Sequence, residues 1–359
     1  MDFYSFPTVR GVQSGREYFV TMCPLRLVPR LFTIEKKIMP PELRAQRVIN
    51  KSRIPSICSY IVNNPKNYVF PSMVVSIDSE VEFTPFSDDV THFNLGTLKI
   101  PISAKLVIND GQHRRAAIEE ALKQNPSLGN ESISVVFFID WGLKHSQQMF
   151  ADLNRYAVRP NKSISILFDY RDPFSRLTLD IINEIKFFHD YTDLEKTDIS
   201  SISTKIFALS GIFFATKELL NDKKKLMSEE RKKLAVSFWG EVFLNIEEWQ
   251  QIERNLISPF ELRNNFICSH TVALMALGRA GRSLINEYPE NWNDHLSKIS
   301  SMNWHRNNLQ WEGRVTIRGK ISNSRNNVLL LCNVIKRKLG LNLNEEEQGA
   351  ESAFVKDEQ

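Results

Sequence analysis

The sequence predicts an α+β fold in three parts: a domain built on a mixed sheet over residues 1–170, a mainly helical domain over 171–340, and an acidic, disordered tail over 341–359. Three observations lead there. Strand and helix patterns alternate through the first part, apolar residues recur at helical spacing from about Tyr170 onward, and the charge reverses sign near the C-terminus. With 359 residues the chain is long enough to bury two cores.

Glu17 to Cys23 reads as a strand, and Pro40 to Asn63 as helical pieces broken at Ile54-Pro55. Tyr68 to Ile77, following the Pro65 turn, reads as a second strand; Leu106 to Ile108 and Ile133 to Ile139 complete the sheet. Beyond Tyr170, Leu177, Ile181, Ile182 and Ile185 lie on one helix face. Ile206 to Leu220, Arg231 to Trp249 and Ser269 to Leu277 continue the helical pattern. The runs Lys223-Lys224-Lys225 and Arg231-Lys232-Lys233 read as solvated helix faces.

Composition removes several classes of function. No uncharged apolar stretch approaches the roughly 20 residues that span a bilayer, and Met1 to Pro7 lacks a basic region followed by an apolar run. A cytoplasmic protein without a membrane partner is expected. The four cysteines, Cys23, Cys58, Cys268 and Cys332, form no CxxC pair, which argues against a disulfide framework. Cys268-x-His270 has no second pair at zinc-ligand spacing and reads as a buried thiol. Neither a G-x-S-x-G elbow nor a Walker A loop occurs.

The most informative stretch is Lys105 to Ile118. It reads as an apolar strand, a tight Asp110-Gly111 turn, and a helix opening with Gln112, His113, Arg114 and Arg115 and ending before Pro126. A glycine there turns backbone N–H groups outward, the helix start carries partial positive charge, and the basic side chains add donors. The favoured chemistry is anion binding, to the phosphates of a nucleotide or a nucleic-acid backbone. The plainer reading makes Asp110 an N-cap and the arginines a wet helix face. Asp152, Asn154 and Arg155 form a second candidate element. An Asp/Asn pair beside an arginine suits Mg²⁺ and phosphate, but Asp-x-Asn also caps helices.

Charge is concentrated late in the chain. Residues 301–340 hold eight basic residues against the single acid Glu312, a net +7, whereas 341–359 carry a net −5. Arg306, Arg314, Arg318, Lys320 and Arg325, interleaved with Trp304 and Trp311, are candidate contacts to the backbone of double-stranded DNA. Tryptophan is more often core than a base-stacking platform, so the arginines are the stronger candidates. The acidic tail is either a competitor for the basic stretch or a solubilising end.

The Asp110-Gly111-Gln112-His113-Arg114 run resembles the "DGQHR" motif of DndB-type DNA sulfur-modification proteins, a domain distantly similar to the ParB/sulfiredoxin fold. The resemblance extends to Phe150 to Arg155, to Trp304 to Lys320, and to Ser324-Arg325-Asn326 with the closing helix to Leu341, nearly the whole chain. It implies a phosphate cradle formed by Gly111, Gln112, His113, Arg114 and Arg115 with Asn154 and Arg155, taking ATP or another nucleoside triphosphate with Mg²⁺. Gly111 and Arg114 match the glycine and arginine shared by ParB and sulfiredoxin turns, and His113 matches the sulfiredoxin histidine. Gln112 replaces the sulfiredoxin cysteine and the ParB glutamate, so thiolate attack is excluded and the ParB route of hydrolysis loses its carboxylate. Asp110 then becomes the candidate catalytic carboxylate, and Asp110 with Asp152 the candidate metal ligands. The family resemblance implies a DNA-binding regulator of phosphorothioation working beside other proteins of that system; an NTPase that drives or gates modification is the alternative, and homo-oligomerisation is left open.

Overall fold

The computed structural model describes residues 2–32, 49–139, 148–149, 151–153, 155, 160–200, 202–223 and 226–357. The chain divides into two compact units, Met1–Val158 and Arg159–Gln359. The second begins twelve residues before the boundary at residue 171 that the apolar periodicity marked. Asn161 caps a short helix, α4 (Lys162–Leu167), by accepting from the Ile164 N–H, and the Ser163 hydroxyl binds Ser210 deeper in the helical core.

The first unit is built on a seven-stranded sheet in the order β4-β5-β1-β2-β7-β3-β6. The strands are β1 (Phe3–Gln13), β2 (Arg16–Pro24), β3 (Met73–Ile77), β4 (Glu82–Pro85), β5 (Leu95–Pro101), β6 (Leu106–Asp110) and β7 (Ser132–Ile139). β3 runs parallel to β7, and the remaining pairs are antiparallel, which makes the sheet mixed. Alternate residues of the strands, among them Phe19, Val75, Leu98, Ile100, Ile108, Val135 and Phe137, are fully buried on one face. Helices α1 (Val28–Leu31), α2 (Ile54–Asn63) and α3 (Gln112–Gln124) belong to the same unit, and Val28, Ile61, Ala117 and Ile118 join that core.

Two sheet features differ from the sequence reading. β1 is a strand that Pro7 and Gly11 disguise in the sequence. The segment Tyr68 to Ile77 is a strand only from Met73, because the carbonyls of Pro71 and Ser72 are taken by the Arg114 guanidinium instead of a neighbouring strand. The expected helix before residue 49 lies outside the described residues.

The second unit is mainly helical. Its elements are α5 (Pro173–Glu184), α6 (Lys186–Tyr191), α7 (Leu209–Leu220), α8 (Ser228–Leu244), α9 (Glu247–Glu253), α10 (Pro259–Asn265), α11 (Thr271–Glu287), α12 (Trp292–Leu296), α13 (Arg325–Leu339) and α14 (Glu345–Asp357). Two small strand pairs, β8 (Thr192–Asp193) with β9 (Phe207–Ala208) and β10 (Thr316–Ile317) with β11 (Lys320–Ile321), accompany them. α11 packs closely on α7: a Cβ at Gly278 would run into the Ala215 carbonyl, so glycine sets the approach. The core is aromatic, with Phe187 stacked on Trp249 at 5.5 Å and Trp239 donating to the Thr216 hydroxyl at 3.1 Å. The helix expected over Arg231 to Trp249 is two helices, α8 and α9, separated at Asn245–Ile246.

The acidic tail corrects an expectation. It is not disordered but forms α14, docked on α13 through its carboxylates. Glu347 is 1% exposed and holds Lys336 at 2.8 Å. Glu351 takes both Arg314 terminal nitrogens at 2.6 and 2.9 Å, and also accepts from Arg337 and from the Asn333 amide. Low hydrophobicity did not prevent ordering, because the acids meet buried cations.

Candidate functional site: the Asp110–Arg115 turn and the basic C-terminal segment

β6 ends at Asp110, and a register shift between Val74 and Val75 in the partner strand re-aims the end of the ladder. Gly111 follows at φ 114°, ψ 8°, a backbone conformation that favours glycine. A Cβ there would also lie 2.9 Å from Met73 Cγ, so glycine is required twice over. α3 starts at once, with the Arg115 N–H donating to the Gly111 carbonyl at 2.8 Å.

Along this first turn the side chains divide by direction. Gln112 points inward and is buried; its Nε2 donates to the Ile108 carbonyl at 2.8 Å and the Asn109 carbonyl at 3.4 Å. Arg115 is 8% exposed and donates to the carbonyls of Phe32 and Pro29, both at 2.8 Å, while also pairing with Glu119. Both were expected to touch phosphate, but their donors are spent on backbone carbonyls, and their work is to fasten α3 to the strand and to α1.

Outward lies a cavity of about 510 Å³ lined by Asp110, Gly111, His113 and Arg114 together with Arg53, Tyr60 and Phe70. His113 accepts the Asn50 N–H at its Nε2, 3.1 Å away. Arg114 has a side chain only 12% exposed, donates to the Pro71 and Ser72 carbonyls, and pairs with Asp110 at 2.5 Å. The Asp110 carboxylate, nearly half exposed, is therefore the accessible end of that pair. Tyr60 and Phe70 form an aromatic wall with ring centroids 6.1 Å apart. Arg53, Tyr60 and Phe70 went unnoticed in the sequence because they lie forty or more positions upstream of the turn and belong to no recognisable motif.

Of the second candidate element, Asn154 lies outside the described residues. Asp152 is exposed and accepts from Gln148 at 2.8 Å, Arg155 is exposed, and neither lines the cavity at the turn. Among the described residues no group of three or more His, Cys, Asp or Glu is placed to hold a metal ion. Asp110, the carboxylate among the described residues of the cavity lining, faces the Arg114 guanidinium.

The basic C-terminal candidates separate into three settings. Arg314 is spent on Glu351 and stacks over Phe354. Arg306 and Lys320 line a different cavity. Arg318 stands exposed at the tip of the β10–β11 hairpin, at φ 52° beside Gly319 at φ 74°, with its N–H held by Glu312 at 3.0 Å; Arg325 is exposed and reaches Glu346. Positive φ at both tip residues suits the two-residue hairpin turn. Trp304 and Trp311 are fully buried and stacked on each other at 6.1 Å, so they serve as core.

The four cysteines are buried and unpaired as disulfides. Burial pushes the thiols of Cys23 and Cys332 up to about 12, and raises those of Cys58 and Cys268 as well. None is a poised nucleophile.

The fold and the turn thus define an α+β protein in which a strand–glycine–helix turn opens on a cationic, aromatic-walled cavity. A family model described as "DndB: DNA-sulfur modification-associated" matches residues 6–342, and the chain belongs to that family. No curated protein and no solved structure matches the chain in the corresponding searches. The family match ends just before α14. Among the described residues no helix is long and apolar enough to cross a membrane.

Proposed function

We propose that this chain is a DNA-binding regulator of DNA phosphorothioation that senses a nucleotide in the cavity at the Asp110–Arg115 turn. The carrying observation is that cavity: Arg53, His113 and Arg114 line it together with the aromatic rings of Tyr60 and Phe70, and its volume has room for a nucleotide. Phosphates would meet Arg53 and the start of α3, and a base would lie against the rings. The strand–Gly111–helix arrangement is what a ParB/sulfiredoxin-like turn requires. Double-stranded DNA would be met by the exposed cations Arg318, Lys320 and Arg325. The buried, proton-holding thiols support a role beside the sulfur-transfer chemistry rather than in it. Partners would be DNA and other proteins of the modification system, in the cytoplasm.

The test is calorimetric titration of ATP, CTP and GTP, with and without DNA. At least one nucleotide should bind, and Arg53→Gln should weaken it about tenfold, the usual cost of a lost charge-assisted bond. Failure of all three to bind ends the nucleotide reading.

One observation favours a second reading, an NTPase: the accessible carboxylate of Asp110 sits in the same cavity and could orient a water. Asp110→Asn should then keep binding and abolish turnover. A parent protein with no turnover above buffer leaves the regulator reading alone.

A further inference from the structure

A second cavity, of about 470 Å³, lies within the helical unit between the start of α11 and the β10–β11 hairpin; its lining includes Asp198, Arg263, His270, Thr271, Arg306 and Lys320. Arg263 is immobilised by donating to the carbonyls of Ser200, Ser203 and Lys205. His270 donates from Nε2 to the Arg263 carbonyl at 2.9 Å. Burial chiefly, with the neighbouring positive charges of Arg306 and Arg263, lowers its pKa below the ordinary histidine value. Positive charge is therefore crowded around this space already, and Asp198, the only acid among the described residues of the lining, is exposed.

Arg306 is the telling residue. Its backbone is fixed by the N–H bond to the Asn265 carbonyl at 2.7 Å, yet its Nε is buried and meets no hydrogen-bond partner among the described residues. A buried guanidinium N–H without an acceptor is costly, and such a group calls for an explanation. An oxyanion entering the cavity supplies the negative charge, and it would meet the terminal nitrogens of the guanidinium, the Nε itself being shielded from solvent. Lys320 reaches the same space from the hairpin, and no ion pair among the described residues involves either side chain.

We propose that this cavity is a phosphate-binding site in which Arg306 and Lys320 grip the oxyanion of a phosphate ester. The backbone N–H groups of Thr271 and Val272, in the first turn of α11 and in the cavity lining, add to it. Its volume exceeds a bare phosphate and admits a nucleotide unit, so the phosphate comes either from the DNA backbone or from a free nucleotide. The site is separate from the turn cavity, and it rests on the DNA-binding reading only for the first of these sources.

The experiment is calorimetry on the full chain with inorganic phosphate, deoxyadenosine monophosphate and a short DNA duplex. Arg306→Gln and Lys320→Gln are compared with Arg53→Gln, which reports on the turn cavity, and with Arg254→Gln, an exposed control paired with Glu247. Arg306→Gln and Lys320→Gln should each weaken binding about tenfold, with Arg254→Gln unchanged. Loss confined to the duplex assigns the phosphate to DNA; loss of phosphate and monophosphate as well assigns it to a free nucleotide. Unchanged affinity for all three probes in both variants, with normal melting curves, overturns the site. If the monophosphate responds only to Arg53→Gln and the duplex to neither Arg306→Gln nor Lys320→Gln, the turn cavity stands and this one falls. Should Arg306→Gln fail to fold, the exposed Lys320→Gln decides alone.

Discussion

The turn at Asp110–Arg115 and the basic segment of residues 301–340 look alike in the sequence, since both are dense in cations and both suggest polyanion binding. They behave differently once folded. At the turn, cations are consumed by backbone carbonyls: Arg115 by Phe32 and Pro29, Arg114 by Pro71 and Ser72. In the C-terminal segment they are consumed by carboxylates arriving from α14, Glu346, Glu347 and Glu351. The first kind of neutralisation is permanent, because the acceptors are part of the fold. The second rests on one helix, which carries all these acceptors and lies beyond the family match, so truncation can remove it. Linear charge density says little about binding until the acceptors are known.

The sharpest way to break this comparison is to remove α14. Truncation after residue 342 would release Arg279, Arg314, Arg325, Lys336 and Arg337 from their carboxylates. DNA affinity should rise most at low salt, and the slope of log K against log salt should steepen by about 0.9 for each cation that reaches a phosphate. An electrophoretic shift series across salt concentrations checks it. Unchanged affinity and slope would make α14 a structural cap only.

Next in size is Arg115→Ala. It strands two buried carbonyls and the Glu119 carboxylate, and should cost about 2–3 kcal/mol in urea unfolding. Nucleotide affinity of the folded fraction should be unchanged. A large loss of nucleotide affinity with little loss of stability would return Arg115 to the phosphate cradle.

Glu351→Gln probes the neutralisation by α14, at a cost of about 1–2 kcal/mol. The same pairs make docking pH-dependent. Burial alone would raise the Glu351 pKa, but hydrogen bonds from Arg314 and Asn333 and the charges of Arg314 and Arg337 hold it below the ordinary value. The bond and charge of Arg279 do the same for Glu346. For acids depressed in the folded state, the stabilisation is fully present above the unfolded value of about 4.3 and is lost as pH falls through the folded values. Proteolytic cleavage within α14 should therefore accelerate below about pH 4, before the rest of the unit opens. Glu351→Gln should show less of that acceleration.

Much of the architecture was legible in the sequence. The α3 boundaries followed from Gly111 and Pro126, β2 and β7 match the strands read over Glu17 to Cys23 and Ile133 to Ile139, and the helical unit followed from its spacing. β1 was hidden by Pro7 and Gly11, which contradict a strand until β2 and β5 pair on both sides of it. The site was legible only at the turn. Nothing in the order of residues reveals that Gln112 and Arg115 face inward, since that depends on where α1 and β6 place their carbonyls. Arg53, Tyr60 and Phe70 were invisible for the same reason, being neighbours of the turn only in space. The tail was misread because its composition suits disorder, whereas its ordering depends on cations elsewhere in the chain.

The smallest expected effect tests whether the C-terminal surface left uncovered by α14 is the one that meets DNA. Arg318 is the cleanest probe: it is exposed at a hairpin tip, and no carboxylate takes its side chain among the described residues. Only its backbone N–H is committed, to Glu312 at 3.0 Å, and that bond survives a side-chain change. Arg318→Asn keeps a residue that tolerates φ 52°, so the turn should persist. Loss of one phosphate contact should flatten the salt slope by about 0.9 and lower affinity severalfold at low salt, with the melting curve unmoved. The same substitution in the truncated chain should produce the same change, because α14 does not hold this arginine. A slope unaltered in both backgrounds would place the DNA contact elsewhere, with Lys223 and Arg231 to Lys233 the next cations to test.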